Sequence, residues 1–97
     1  MYKLTYLPSA ENDILEAEGY LYEFSPVAAE KFMFVINTQA EILIKHPLMY
    51  PVYDKDERFR CMPLPYQYLC FYRVDETTRV LIIHRIIRGM RDISRIL

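Results

Sequence analysis

Apolar and polar residues alternate loosely from Tyr2 to Leu7, and the run stops at Pro8, which reads as a short strand. Ser9 follows as a candidate helix cap, with Glu11 and Asp13 placed in the positive first turn. Ala10, Ile14, Ala17, Leu21 and Phe24 then recur at three- and four-residue steps and form one apolar stripe of a helix. Ser25-Pro26 restarts the pattern, a cap followed by proline at the first helical position. Ala29, Phe32, Val35, Ile36, Gln39, Ile42 and Leu43 carry a second helical face to about His46. Pro47 ends it, because the residue before a proline is pushed out of the helical region. At 1.5 Å per residue this second helix would be roughly 30 Å long. The tight corner between the helices makes a hairpin with one face to cover.

Residues 47–57 are rich in proline and aromatic side chains and read as a loop. Three strands follow. Arg58 to Met62 alternates charge with apolar groups, Tyr68 to Val74 alternates two apolar sets, and Arg79 to Ile87 comes after the turn Asp75-Glu76-Thr77-Thr78. In that last run Val80, Ile82 and Ile86 fall on one face and Leu81, Ile83 and Ile87 on the other, so it belongs in the middle of a sheet. The order β-α-α-β-β-β predicts an α+β fold in one domain, residues 1–97, with a helical hairpin packed on one face of a mainly antiparallel sheet.

Composition narrows the class. The chain is 53% hydrophobic, enough to build a packed core at 97 residues. No apolar run approaches a membrane span, and the start Met1-Tyr2-Lys3-Leu4 lacks the features of a signal peptide, so the expected location is the cytoplasm. Cys61 and Cys70 are too few for a disulfide framework and sit in apolar alternating segments, as small buried thiols do. Neither His46 nor His84 is spaced near them as zinc ligands would be; no metal and no cofactor is expected.

The net charge of −1 conceals an asymmetry. Residues 1–57 hold four lysines against ten acids, a net of −6; residues 58–97 hold eight arginines against three acids, a net of +5. Lysine is absent from the second half and arginine from the first. The arginine fork matches carboxylate and phosphate, so the cluster points to a surface for an anionic partner. For any single arginine, pairing with the acidic helices inside the fold is an equal alternative. Arg85 and Arg88 lie at the end of the last strand, on opposite faces by parity unless a bulge intervenes. His84 alternates with Val80, Ile82 and Ile86, on the face expected to pack against helices or a neighbouring element, which favours a structural histidine over an acid or base. His46, at the end of the second helix, suits a capping role there.

The chain resembles the RelE/ParE toxin superfamily, and nearly its whole length takes part. The resemblance rests on Tyr6-Leu7-Pro8-Ser9-Ala10-Glu11-Asn12-Asp13, the Ser25-Pro26 break, Arg58-Phe59-Arg60, the segment Tyr68 to Asp75 and the tail Ile83 to Asp92. The tail is similar to the ParE branch: Arg85, Gly89, Arg91 and Asp92 match, Arg88 stands where histidine is common, and Met90 replaces a basic residue. That branch implies growth arrest by poisoning of DNA gyrase, without an obvious catalytic residue, and neutralisation by a cognate antitoxin whose acidic, amphipathic segment folds over the toxin. The expected target-binding residues are Arg58, Arg60, Arg85, Arg88, Arg91 and Asp92. The RelE branch implies ribosome-dependent cleavage of messenger RNA instead. Arg60, Arg85, Arg88 and Arg91 are then the catalytic candidates at the phosphate, but the terminal tyrosine of that branch falls near Leu97, which transfers no proton. A third reading is a binding module, or inactivated relative, without toxicity.

Overall fold

In the computed structural model, which describes residues 1–89 and 97, the elements come in the predicted order. They are β1 (Lys3–Tyr6), α1 (Pro8–Phe24), α2 (Pro26–Leu43), β2 (Arg60–Pro63), β3 (Tyr68–Asp75) and β4 (Val80–Arg88), with a short 3-10 turn at Pro65–Gln67. The four strands form one mixed sheet in the order β1-β4-β3-β2. β1 runs parallel to β4, with Lys3 opposite Val80, while β4, β3 and β2 pair antiparallel. β4 therefore lies inside the sheet, as its two apolar faces require.

α1 begins two residues earlier than its sequence suggests. Pro8 occupies the first helical turn, Leu7 is the N-cap, and no side chain caps the helix. Proline starts a helix without help because its missing N–H is one that would go unpaired there. Ser9 is thus free for another bond, described below. At the hairpin corner the expectation holds: Ser25 Oγ accepts from Ala28 N at 3.3 Å, and Ser25 N donates to Leu21 O at 2.9 Å, ending one helix and capping the next. α2 stops at Leu43, and Lys45 N and His46 N both turn back to Ile42 O. His46 lies past the C-cap, Ile44, not in the last turn.

The helices cover one sheet face. Ala10, Ala17 and Leu21 from α1 and Ala29, Phe32, Ile36 and Leu43 from α2 pack on Cys70, Tyr72, Leu81 and Ile83. Phe32 stacks at a tilt on Tyr68, with ring centroids 5.0 Å apart. Each large side chain buried here contributes about 2 kcal/mol or more of hydrophobic stabilisation. Phe24, expected on the α1 stripe, is exposed: it ends the helix and sets its ring edge-on against Tyr20 at 4.9 Å. The other sheet face is not bare, because Phe59, Phe71 and Ile87 form a second small cluster there, joined by Tyr53, Cys61, Leu69 and Leu97.

The segment between α2 and β2 is irregular but tied down. Tyr53 N donates to Phe59 O at 2.8 Å, Cys61 N to Pro51 O at 3.1 Å, and Val52 bridges Arg60. Both cysteines are free: burial pushes the Cys61 thiol up to about 11 and the fully buried Cys70 thiol well above its usual range, so neither is a reactive thiolate. Among the described residues no helix is long and apolar enough to cross a membrane.

Candidate functional site

The site begins with a break in the alternation of β4. Phe71 pairs with Arg85, but the next residue of β3, Tyr72, pairs with Ile83, so His84 is an extra, unpaired residue: a β-bulge. Beyond the bulge the parity of the strand is reversed. Leu81 and Ile83 belong to the helix-side core, and so does Ile86 instead of Ile87, which joins Phe59 and Phe71 on the far face. The sequence-based division of β4, with Ile86 beside Val80 and Ile82, is corrected by this single residue.

Two side chains from the start of α1 hold the bulge. Ser9 Oγ donates to His84 O at 2.9 Å. Asp13 is buried, with 8% of its side-chain surface exposed, and its Oδ2 accepts from Ile86 N at 2.9 Å and from Arg85 Nε at 2.7 Å. Oδ1 accepts from Arg85 Nη2 at 2.9 Å. The pair is bidentate, the geometry in which an arginine–carboxylate contact is strongest. The hydrogen bonds that Arg85 donates to Asp13 hold its guanidinium above its ordinary pKa. Sequence reasoning placed Asp13 in the positive first turn of the helix and gave it no partner. The readable signal is its position: Ala10, Asp13 and Ala17 share one stripe, and a carboxylate within a core stripe needs a buried cation.

The bulge also decides where Arg88 points. Arg85 and Arg88, expected on opposite faces, both line a groove of about 290 Å³ with Asp13, Glu16, Tyr20 and Tyr68. Arg88 Nη1 donates to Tyr20 Oη at 2.9 Å, and the guanidinium lies 5.2 Å from the Tyr20 ring and 6.0 Å from the Tyr68 ring. Its Nε is buried and finds no acceptor among the described residues. Gly89, the next residue, donates its N–H to Gln67 O at 2.7 Å. A Cβ at Gly89 would stand 3.3 Å from Leu69 Cδ1 and 3.4 Å from Gln67 O, so the approach suits glycine. The turn that presents Gln67 O is itself strained, with Tyr66 and Gln67 both at positive φ (62° and 68°).

Of the remaining predicted residues, Arg58 and Arg60 do not join this groove. Arg60 and Arg58 lie on and before β2, on the far side of β3 from β4. Arg60 Nη1 donates to Tyr50 O at 2.7 Å and, with Tyr72 Oη donating to Pro47 O at 3.0 Å, fastens the 47–57 loop. Arg58 is exposed and paired with Asp56 at 2.6 Å. Arg91 and Asp92 lie outside the described residues.

His84 shares the face of Val80 and Ile82, as expected, but the helices cover the opposite face, that of Leu81 and Ile83, so His84 packs on a neighbouring element, Phe59, instead. It is half-buried, edge-on to Phe59 at 4.8 Å, and its Nε2 accepts from Arg73 Nε at 3.4 Å. Burial, then the neighbouring charges of Arg73 and Arg58, push its pKa below 6.5 and keep it neutral near neutral pH. As for chemistry, Asp13 already receives three donors, two from Arg85 and one from Ile86 N. The groove presents a guanidinium against two phenol rings beside a satisfied ion pair, an arrangement suited to recognising an acceptor.

Comparison with known proteins bears on the family and the fold. A family model described as the ParE toxin of the type II toxin–antitoxin system parDE matches residues 4–93. A solved structure of the chromosomal ParDE TA system from P. aeruginosa is similar in fold, with a TM-score of 0.71 and 21% identity over 91% of this chain and 96% of that one. No curated protein matches the chain. With a strand, a helical hairpin and three antiparallel strands in the required order, and with the family model spanning nearly all of them, the chain belongs to the ParE toxin family of type II toxin–antitoxin systems.

Proposed function

We propose that the chain arrests bacterial growth by binding and poisoning DNA gyrase in the cytoplasm, without catalysing a reaction of its own. We further propose that a cognate antitoxin neutralises it through an acidic, amphipathic segment. The observation that carries the non-catalytic reading is the Asp13–Arg85 pair, which occupies the buried one of the groove's two carboxylates (the other is Glu16, exposed at the rim) and one of its two described cations. Phosphate cleavage needs a base, an acid and a charge at the phosphate. The residues nearest those roles are engaged elsewhere: Arg60 holds a loop, Arg58 pairs with Asp56, and His84 sits on the far face. Leu97, at the end of the chain, packs with Phe59, Phe71 and Ile87 and offers no proton.

Target recognition falls in this reading to Arg88, with Arg91 and Asp92 of the tail, while Arg85 and Arg60 keep structural roles. Arg58, exposed but paired with Asp56, would take part only by exchanging that carboxylate for one of a partner.

The test is supercoiling of relaxed plasmid by purified gyrase with increasing amounts of the purified chain, beside pulse labelling of DNA and protein synthesis after induction without antitoxin. Inhibited supercoiling, and loss of DNA synthesis before translation, are the expected outcomes. Gyrase unaffected at large molar excess sinks the reading, and early loss of translation transfers the target to the ribosome.

A further inference from the structure

The helical hairpin carries a second apolar surface, on the side turned away from the sheet. At about 100° per residue, Leu15, Gly19 and Tyr22 of α1 point opposite to Ala10, Ala17 and Leu21, and Val27 and Phe34 of α2 point opposite to Phe32 and Ile36. Leu15 is 67% exposed, Tyr22 62%, Val27 71% and Phe34 69%. Both pairs are spaced by seven residues. The corner at Ser25 sets the pairs nearly level, since Tyr22 and Val27 lie about one turn from it and Leu15 and Phe34 about three turns. Four large side chains left in water at matched positions of adjacent helices form a patch, unlike scattered surface apolar residues.

Gly19 lies between Leu15 and Tyr22 on the same strip. Its φ is negative, and a Cβ there would meet no atom within 4 Å, so nothing inside the fold calls for glycine. A glycine in mid-helix destabilises relative to alanine. A reason for it lies outside the chain: a bare backbone lets a crossing helix come close.

The surroundings choose the partner. The hairpin, residues 8–43, holds seven acids and one cation, Lys31; of the acids, Asp13 is spent on Arg85. Glu11, Glu23, Glu30 and Glu41 are exposed around the patch. A second copy would bring acids against acids, and an anionic lipid surface would be repelled. We propose that the outer face of the α1–α2 hairpin is a docking surface for a cationic amphipathic helix of a partner protein, its apolar stripe on Leu15, Tyr22, Val27 and Phe34 and its basic flanks on the glutamates. This surface is separate from the Arg88 groove, and the inference stands whether or not gyrase is the target.

The test uses the purified chain and a helical peptide of the length of α2, with leucines at i, i+3, i+4 and i+7 and lysines elsewhere, beside an otherwise identical glutamate peptide. The lysine peptide is expected to bind, more weakly as salt rises, while the glutamate peptide does not. Phe34→Ser and Gly19→Leu are expected to weaken binding by about tenfold or more. Gly19→Leu points into open space and removes a mid-helix glycine, so a melting temperature that does not fall shows that the fold has survived. Equal binding of both peptides, or undiminished binding by both variants, overturns the proposal. Sedimentation as a dimer that Phe34→Ser dissociates would assign the face to a second copy, and partition onto lipid vesicles would assign it to a membrane; either also overturns it.

Discussion

Asp13 and Arg85 stand 72 residues apart in sequence and meet through two hydrogen bonds of 2.7 and 2.9 Å, while the same carboxylate takes the N–H of Ile86. The contact pins α1 to the bulge of β4, and the bulge turns Arg88 into the groove beside Tyr20. One buried carboxylate thus sets the direction of the strand from which the family's basic tail departs.

Removing that carboxylate leaves a partly buried guanidinium and a buried N–H without their acceptor. Asp13→Ala is expected to destabilise the chain by about 3 kcal/mol in urea unfolding. Asp13→Asn, which keeps an acceptor but loses the charge, should cost less. A loss below about 1 kcal/mol for the alanine variant would show that the pair does not organise the strand.

Arg85 and Arg88 are expected to separate structure from function. Arg85→Ala leaves Asp13 buried as an unpaired charge, so toxicity and folding should fall together. Arg88→Ala removes one exposed hydrogen bond to Tyr20 and should change stability by about 1 kcal/mol or less while abolishing growth arrest. Growth arrest by a stably folded Arg88→Ala chain would take Arg88 out of the target-binding surface.

The turn before β3 stores strain that a sequence change can release. Tyr68 N donates to Pro65 O, and both central residues, Tyr66 and Gln67, take the left-handed conformation that glycine and asparagine adopt at low cost. Gln67→Gly is expected to raise stability by about 1 kcal/mol, since φ is 68° there, and to keep the Gly89 N–H to carbonyl bond, which uses only the backbone. A lower melting temperature would contradict this account.

Stability should depend on pH through His84. Its folded pKa lies below the unfolded value of 6.5, because burial and then Arg73 and Arg58 disfavour the imidazolium. Below 6.5 the unfolded chain binds the proton more readily, so the contribution is complete above 6.5 and is lost as pH falls through the folded pKa. Histidine Cε1–H chemical shifts should titrate below 6.5 for His84, and His84→Gln should flatten that part of the stability profile. A midpoint above 6.5 would reverse the sign.

The sequence by itself determined the elements, their order and the family. Helix stripes and strand alternation are local, three or four residues against two, and they survive whatever the chain packs against. The Ser25-Pro26 corner, the Pro47 stop and the loop at 47–57 were legible for the same reason, as was the excess of arginine in the second half. The roles of individual arginines were not legible, because each depends on which acceptor the fold brings near: Asp13 for Arg85, Tyr50 O for Arg60, Tyr20 for Arg88. Tertiary structure alone decided the faces of β4 after residue 83. Counting by twos is sound only while every residue pairs, and at His84 a carboxylate and a serine from the first two turns of α1 hold an extra residue out of register. Those ties span more than 70 positions of sequence, beyond the reach of any local pattern.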